Sequence, residues 1–221
     1  MAVSQNRVFI VGCGPGGPEY VTPAAFKAVA EAQIVVGAKR LLQLFPDSIA
    51  RQLPLPPAVE PAMETVAEHL QTGSVAVLVS GDPGVFSLAR PLVARFGIDA
   101  CEIIPAVSSL QVAFARLGLD WTDARIVSAH GRIPQVSALE LSHSDKIAIF
   151  AGARQPTAWV CDTVDELEAT HVLFVCENLT LPEESVREVP AEEIRSTAFS
   201  SLTLLVLVRR SEQSGPDCTG G

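Results

Sequence analysis

The sequence has 221 residues, 48% hydrophobic and 19% charged, enough apolar material for a core and unlike a disordered chain. Sixteen Lys and Arg against 25 Asp and Glu leave a net charge of −9. That excludes the electrostatic footprint of a general nucleic-acid binder, though not a local basic pocket. Along the chain, an apolar strand is expected over residues 7–12, followed by a glycine-rich loop. Thr22 and Pro23 open a helix reaching about residue 32, with Thr22 as N-cap and Pro23 in the first turn. A strand over 33–36, a helix over 38–44, a rigid Pro54-Leu55-Pro56-Pro57 connector and a helix over 61–70 come next. Strands over 74–80 and 101–104 are each followed by a helix, over 87–96 and 108–117. Further strands are expected over 125–127, 146–150, 171–176 and 202–208, with a helix over 156–167. This alternation predicts an α/β fold with largely parallel sheets.

Gly118 reads as a helix C-cap, and Asp120-Trp121-Thr122-Asp123 as a polar separator. The expected organisation is therefore a domain over 1–117, a second over 118–210 with four or five strands in each, and a disordered tail over 211–221. Cys13, Cys101, Cys161, Cys176 and Cys218 form no Cys-x-x-Cys pair, so neither a metal site nor a disulfide framework is expected. A reducing cytoplasm suits this usage. The apolar run at Val8 to Val11 is too short for a signal peptide, and that at Leu202 to Val208 is far short of the ~20 residues that span a bilayer. No membrane or nucleic-acid partner is expected.

Three loops follow strand carboxyl ends, where ligands gather in open parallel sheets. In the first, Gly12, Gly14 and Gly17 satisfy a G-x-G-x-x-G spacing. Pro15 and Pro18 lack N–H donors, the helix starts late, and no acidic residue follows Val36-Gly37 for a ribose. A nicotinamide-dinucleotide reading, that of an oxidoreductase, is disfavoured. A loop bringing bare backbone to another ligand, and a tight turn without one, stay open. The second loop runs from Ser80 through Gly81, Asp82, Pro83 and Gly84 to Val85 and Phe86. Asp82 there either caps the next helix or positions a polar ligand. In the third, Pro105-Ala106-Val107-Ser108-Ser109, a serine N-cap is the simple reading.

These residues resemble a known family. The run from Gly12 to Thr22, the Ser80-Gly81-Asp82-Pro83 loop and Pro105-Ala106-Val107-Ser108-Ser109 match, in order and spacing, three motifs of the tetrapyrrole (corrin and porphyrin) methylases. Cys176-Glu177-Asn178-Leu179-Thr180, with Pro182-Glu183-Glu184 after it, is similar to the family's second-domain signature. Within the family, Val36 to Leu42 and Ser128-Ala129-His130-Gly131-Arg132 resemble the CbiE-type branch, which methylates the C5 meso carbon of precorrin-7 or cobalt-precorrin-7 in cobalamin biosynthesis. Two departures stand out: family members often carry Asp at Gly17 and Gly at Ala106.

The resemblance implies two α/β domains with S-adenosylmethionine in the cleft between them. It assigns cofactor contact to Gly12, Gly14 and Pro15, to Gly81, Asp82, Val85 and Phe86, and to Ala106, Val107, Ser108 and Ser109. From the second domain it assigns Ala151, Gly152, Glu177, Asn178 and Leu179, although Asn178 can equally be a turn residue. His130 and Arg132 are the candidate catalytic residues. The substrate's carboxylates point to Lys39, Arg40, Arg116 and Arg132 as binding residues, with Arg154 a weaker candidate. No protein-bound metal is needed. A homodimer is implied, and a decarboxylating C15-methyltransferase is expected to be a separate partner. A sibling enzyme acting at another ring position and a non-catalytic tetrapyrrole-binding module remain alternatives.

Overall fold

A computed structural model describes residues 6–130, 133–152, 157–196 and 198–210. The chain divides into two compact units, Met1–Val112 with Leu179–Pro182, and Ala113–Asn178 with Glu183–Gly221. The boundary expected from the polar separator differs from this division, which falls inside a helix and returns Leu179–Pro182 to the first unit. The tail proposed over 211–221 lies outside the described residues.

The first unit is built on a five-stranded sheet ordered β3-β2-β4-β1-β5, from β1 (Val8–Gly12), β2 (Ile34–Gly37), β3 (Arg51–Pro54), β4 (Val75–Val79) and β5 (Cys101–Ile104). All its pairings are parallel. The central strands read VFIVG and VAVLV and are buried throughout, the near-continuous apolar runs of strands covered on both faces. Alternate residues feed two cores. Phe9, Val11, Ala76 and Leu78 pack with α1 (Pro23–Glu31) and α2 (Lys39–Leu42). Val8, Ile10, Val75 and Val77 pack with α3 (Val59–Leu70) and α4 (Ala89–Phe96). As expected, the Thr22 hydroxyl accepts the Ala25 N–H and caps α1. α5 (Ser109–Arg116) follows β5. Strand β3 is an addition to the expected set: it is a polar edge strand ending at Pro54, a place where a residue without an N–H is tolerated.

The second unit's sheet is ordered β6-β7-β10-β8-β9, from β6 (Arg125–Ser128), β7 (Lys146–Phe150), β8 (His171–Glu177), β9 (Ser185–Glu188) and β10 (Thr203–Arg209). The α/β class holds, but the expectation of a mostly parallel sheet needs correction here. Only β6 and β7 run parallel, while β10 is antiparallel to both β7 and β8, and β8 to β9. The connection between β8 and β9 is too short for the helical crossover that parallel neighbours require, so these strands fold back on each other. α6 (Ala138–Leu141) starts at a capping box of Ser137 and Glu140, and α7 (Ala158–Leu167) at Thr157. They enclose a core of Leu141, Ile147, Ile149, Val164, Leu205 and Leu207. No helix among the described residues is long and apolar enough to cross a membrane.

Candidate active site

The first unit brings its three loops together. Gly14 and Gly81 form an isolated antiparallel bridge, with the Gly81 N–H donating to the Gly14 carbonyl at 2.8 Å. Both are left-handed, at φ +73° and +67°, which favours glycine. Beside them a Cβ at Gly12 would lie 2.7 Å from the Ala106 Cβ and 2.8 Å from the Pro83 Cδ. The second and third loops are tied by Asp82, whose Oδ1 accepts the Gly84 N–H at 2.8 Å and Oδ2 the Ala106 N–H at 3.0 Å. Asp82 therefore acts on the backbone of two loops. Ala106 is not among the residues with positive φ, so its backbone accommodates a side chain.

Ser108 is buried and opens α5: its Oγ accepts the Leu110 N–H at 3.2 Å, and Gln111 Oε1 accepts the Ser108 N–H at 2.9 Å. This reciprocal cap matches the simple reading of the serine pair. Ser109 is the first helical residue, and Val107 is half-buried ahead of it. The Val85 N–H closes a turn onto the Asp82 carbonyl, and Phe86, at φ +47°, stays 50% exposed. The loops thus offer bare backbone and an apolar ring. Pro15, Gly16 and Gly17 are buried. At Gly17 a Cβ would meet the Glu19 carboxylate at 2.5 Å, so Glu19 places an acid beside this glycine.

Arg40 is half-buried, and its guanidinium donates to Ser80 Oγ at 2.7 Å. Burial lowers its pKa, and no carboxylate among the described residues pairs with it. The buried Cys13 thiol interacts with it electrostatically; burial pushes that thiol up to about 12, against a downward pull from Arg40. Lys39 is exposed. Arg116 is held by Glu184 through two contacts, at 2.6 and 3.3 Å. Arg132 and Arg154 lie outside the described residues.

In the second unit, the exposed His130 follows β6, and Gly152, at φ +56°, follows β7. The imidazole covers Gly152 so closely that a Cβ there would fall on its Nδ1. Ala151 is buried and donates its N–H to the Thr203 carbonyl at 3.2 Å. Glu177 accepts from the Ser200 N–H at 2.8 Å and from Arg187 at 3.3 Å. Asn178, at φ +49°, accepts the Ser200 hydroxyl on its side-chain oxygen at 2.6 Å, a link across 22 positions rather than a bond to its own backbone. Leu179, of the first unit, is 3% exposed. Ser80, Glu19 and Thr180 each stood inside a quoted motif, but the sequence assigned none of them a role of its own.

Residues 7–195 match the family described as Tetrapyrrole (Corrin/Porphyrin) Methylases. The chain belongs to this family. Among curated relatives, a cobalt-precorrin-7 C(5)-methyltransferase of Salmonella typhimurium is 31% identical over 188 residues, 85% of this chain and 92% of the relative. Among solved structures, the cobalamin biosynthesis precorrin-6Y methylase (cbiE) of Archaeoglobus fulgidus aligns with TM-score 0.72 at 26% identity, covering 93% of this chain and 99% of that one. The uroporphyrin-III C-methyltransferase of Thermus thermophilus, complexed with S-adenosyl homocysteine, aligns with TM-score 0.72 at 22% identity, covering 92% and 97%. The tetrapyrrole methylase fold and a methyltransferase function in this family follow.

Proposed function

We propose that this protein transfers a methyl group from S-adenosylmethionine to the C5 meso carbon of precorrin-7 or cobalt-precorrin-7. The activity named for the Salmonella relative supports the ring position, and the Thermus complex supports the cofactor. The loops fit such a group chemically: their backbones converge through the Gly14–Gly81 bridge and the Asp82 carboxylate, and Phe86 leaves an apolar ring exposed. That suits a cofactor held by backbone contacts and apolar packing.

When bound, S-adenosylmethionine would supply an electrophilic methyl group and leave as the neutral thioether. The chain's residues then have to hold, align and exclude water, which can contribute roughly 7–11 kcal/mol. Gly12, Gly14, Pro15, Gly81 and Val85 supply the backbone cradle, and Asp82 and Ser108 hold its shape. Arg40 carries the substrate argument: the guanidinium of this half-buried residue has no carboxylate partner among the described residues and is suited to bind one from the macrocycle, and Ser80 orients it. Lys39, on the same helix, adds positive charge. His130, exposed and steadied on Gly152, is the candidate to take up the proton that the ring must lose.

The dinucleotide reading loses ground because the glycine loop runs into a short 3-10 turn, Pro18–Tyr20, and α1 begins only at Pro23. Calorimetry with S-adenosylmethionine and with NAD, followed by transfer of labelled methyl to a precorrin and mass spectrometry of the product, tests the proposal. Binding of the first cofactor only and a new methyl at C5 are expected. Binding of NAD alone, or a methyl at another ring position, would overturn it.

A further inference from the structure

Leu179–Pro182 follows β8 in the chain yet belongs to the first unit. Thr180 within it has φ +69°. A β-branched residue rarely enters the left-handed region and stays there only where its surroundings hold it. Its Oγ1 accepts the Gly17 N–H at 2.8 Å. Leu181 packs against Gly16, where a Cβ would come within 2.8 Å of the Leu181 Cγ. In the run Pro15 to Pro18, only Gly16 and Gly17 own an N–H, so Thr180 accepts one of the two amide donors of that stretch. On the other side of the loop, the Gly14 carbonyl is taken by Gly81.

We propose that Thr180 is a positioning residue for the cofactor loop: its hydroxyl, placed by a strained backbone, fixes the conformation of Gly14 to Gly17 that receives S-adenosylmethionine. The inference rests on the cofactor reading above. A conformation held from both sides before the cofactor arrives spares the loop an ordering step on binding.

The test compares the wild type with Thr180→Val, which keeps the branching and loses the hydroxyl, and Thr180→Ser, which keeps the hydroxyl. Dissociation constant and KM for S-adenosylmethionine should rise roughly tenfold in the Val variant, with kcat at saturation little changed, and return to wild-type values in the Ser variant. The Gly17 amide should be protected from hydrogen exchange in the wild type and the Ser variant, and lose protection in the Val variant. A folded Val variant with wild-type affinity overturns the proposal, as does equal impairment in both variants. If the Val variant does not fold, an unprotected Gly17 amide in the wild type overturns it, and a protected one with normal binding by the Ser variant supports it. Wild-type protein that binds no S-adenosylmethionine removes the cofactor reading itself, and this inference falls with it; wild-type and Val proteins that bind equally well remove this inference alone.

Discussion

The His130 imidazole lies directly over the α-carbon of Gly152, in the space a side chain would need. Gly152 is also left-handed, at φ +56°, so alanine there meets two independent obstacles. The backbone conformation alone costs about 1–2 kcal/mol for a non-glycine residue. The displaced ring adds to that. Gly152→Ala should therefore destabilise the protein by more than 1–2 kcal/mol and lower methyl transfer. The double variant His130→Ala with Gly152→Ala should recover the steric part and leave the backbone part. Denaturant unfolding of the four proteins closes the cycle; strict additivity would show that the ring and the glycine do not interact.

Asp82 joins two loops through its two carboxylate oxygens. Asn offers one acceptor and turns an NH2 toward an N–H donor. Asp82→Asn should lose about 1.5–3 kcal/mol of stability, the range for hydrogen bonds to a charged group. Cofactor affinity should fall with it. Unfolding curves and titration calorimetry read both effects, and unchanged values in each would rule out the tie.

Arg40 offers a planar fork to a substrate carboxylate. Arg40→Ala should raise KM for the precorrin tenfold or more while the dissociation constant for S-adenosylmethionine stays within about twofold. Arg40→Lys should recover only part, because an ammonium lacks the fork geometry. Steady-state kinetics alongside cofactor calorimetry separates the two affinities. A loss of cofactor binding equal to the loss of substrate binding would place Arg40 elsewhere in the chemistry.

Cys13 and Cys176 are both buried, and burial pushes both thiols from 9.0 to about 12; around Cys176 the Glu184 and Glu177 carboxylates push the same way. In the unfolded chain they ionise near 9.0, so between there and about 12 the folded chain keeps protons that the unfolded chain has released. This contribution is fully present below the unfolded value and is lost as pH climbs toward the folded one. The slope is up to about 1.4 kcal/mol per pH unit for each thiol. Denaturation midpoints measured from neutral to alkaline pH should show the fall, and Cys13→Ala should flatten it in part, since burial also pushes up the Cys101 and Cys161 thiols.

The strands most legible in the sequence are those buried on both faces, because an unbroken apolar run such as Val75–Val79 survives any neighbour; the edge strands Cys101–Ile104 and Arg125–Ser128 were read from shorter apolar, β-branched stretches. Arg51–Pro54 and Ser185–Glu188 escaped because these edge strands are largely polar, and their pairing is supplied by the sheet they join. Strand direction in the second sheet was equally hidden: hydrophobicity in Thr203–Arg209 marks burial and carries no sign of polarity. At the site, residues grouped along the chain were legible as loops. The Asp82 link to Ala106 and the Gly17 link to Thr180 span 24 and 163 positions, and only folding brings such partners together. The pairing of Arg116 with Glu184 was hidden for the same reason.

The central place of Thr203–Arg209 in the second sheet bears on how the protein is made. This strand lies between Lys146–Phe150 and His171–Glu177 and hydrogen-bonds to both. During synthesis the two flanking strand pairs emerge first, each with a bare inner edge. Until the late strand arrives, those edges are templates for pairing with other chains. A ribosome that stalls before Thr203 would therefore release a product prone to aggregate, whereas the five strands of the first sheet are all complete by Ile104.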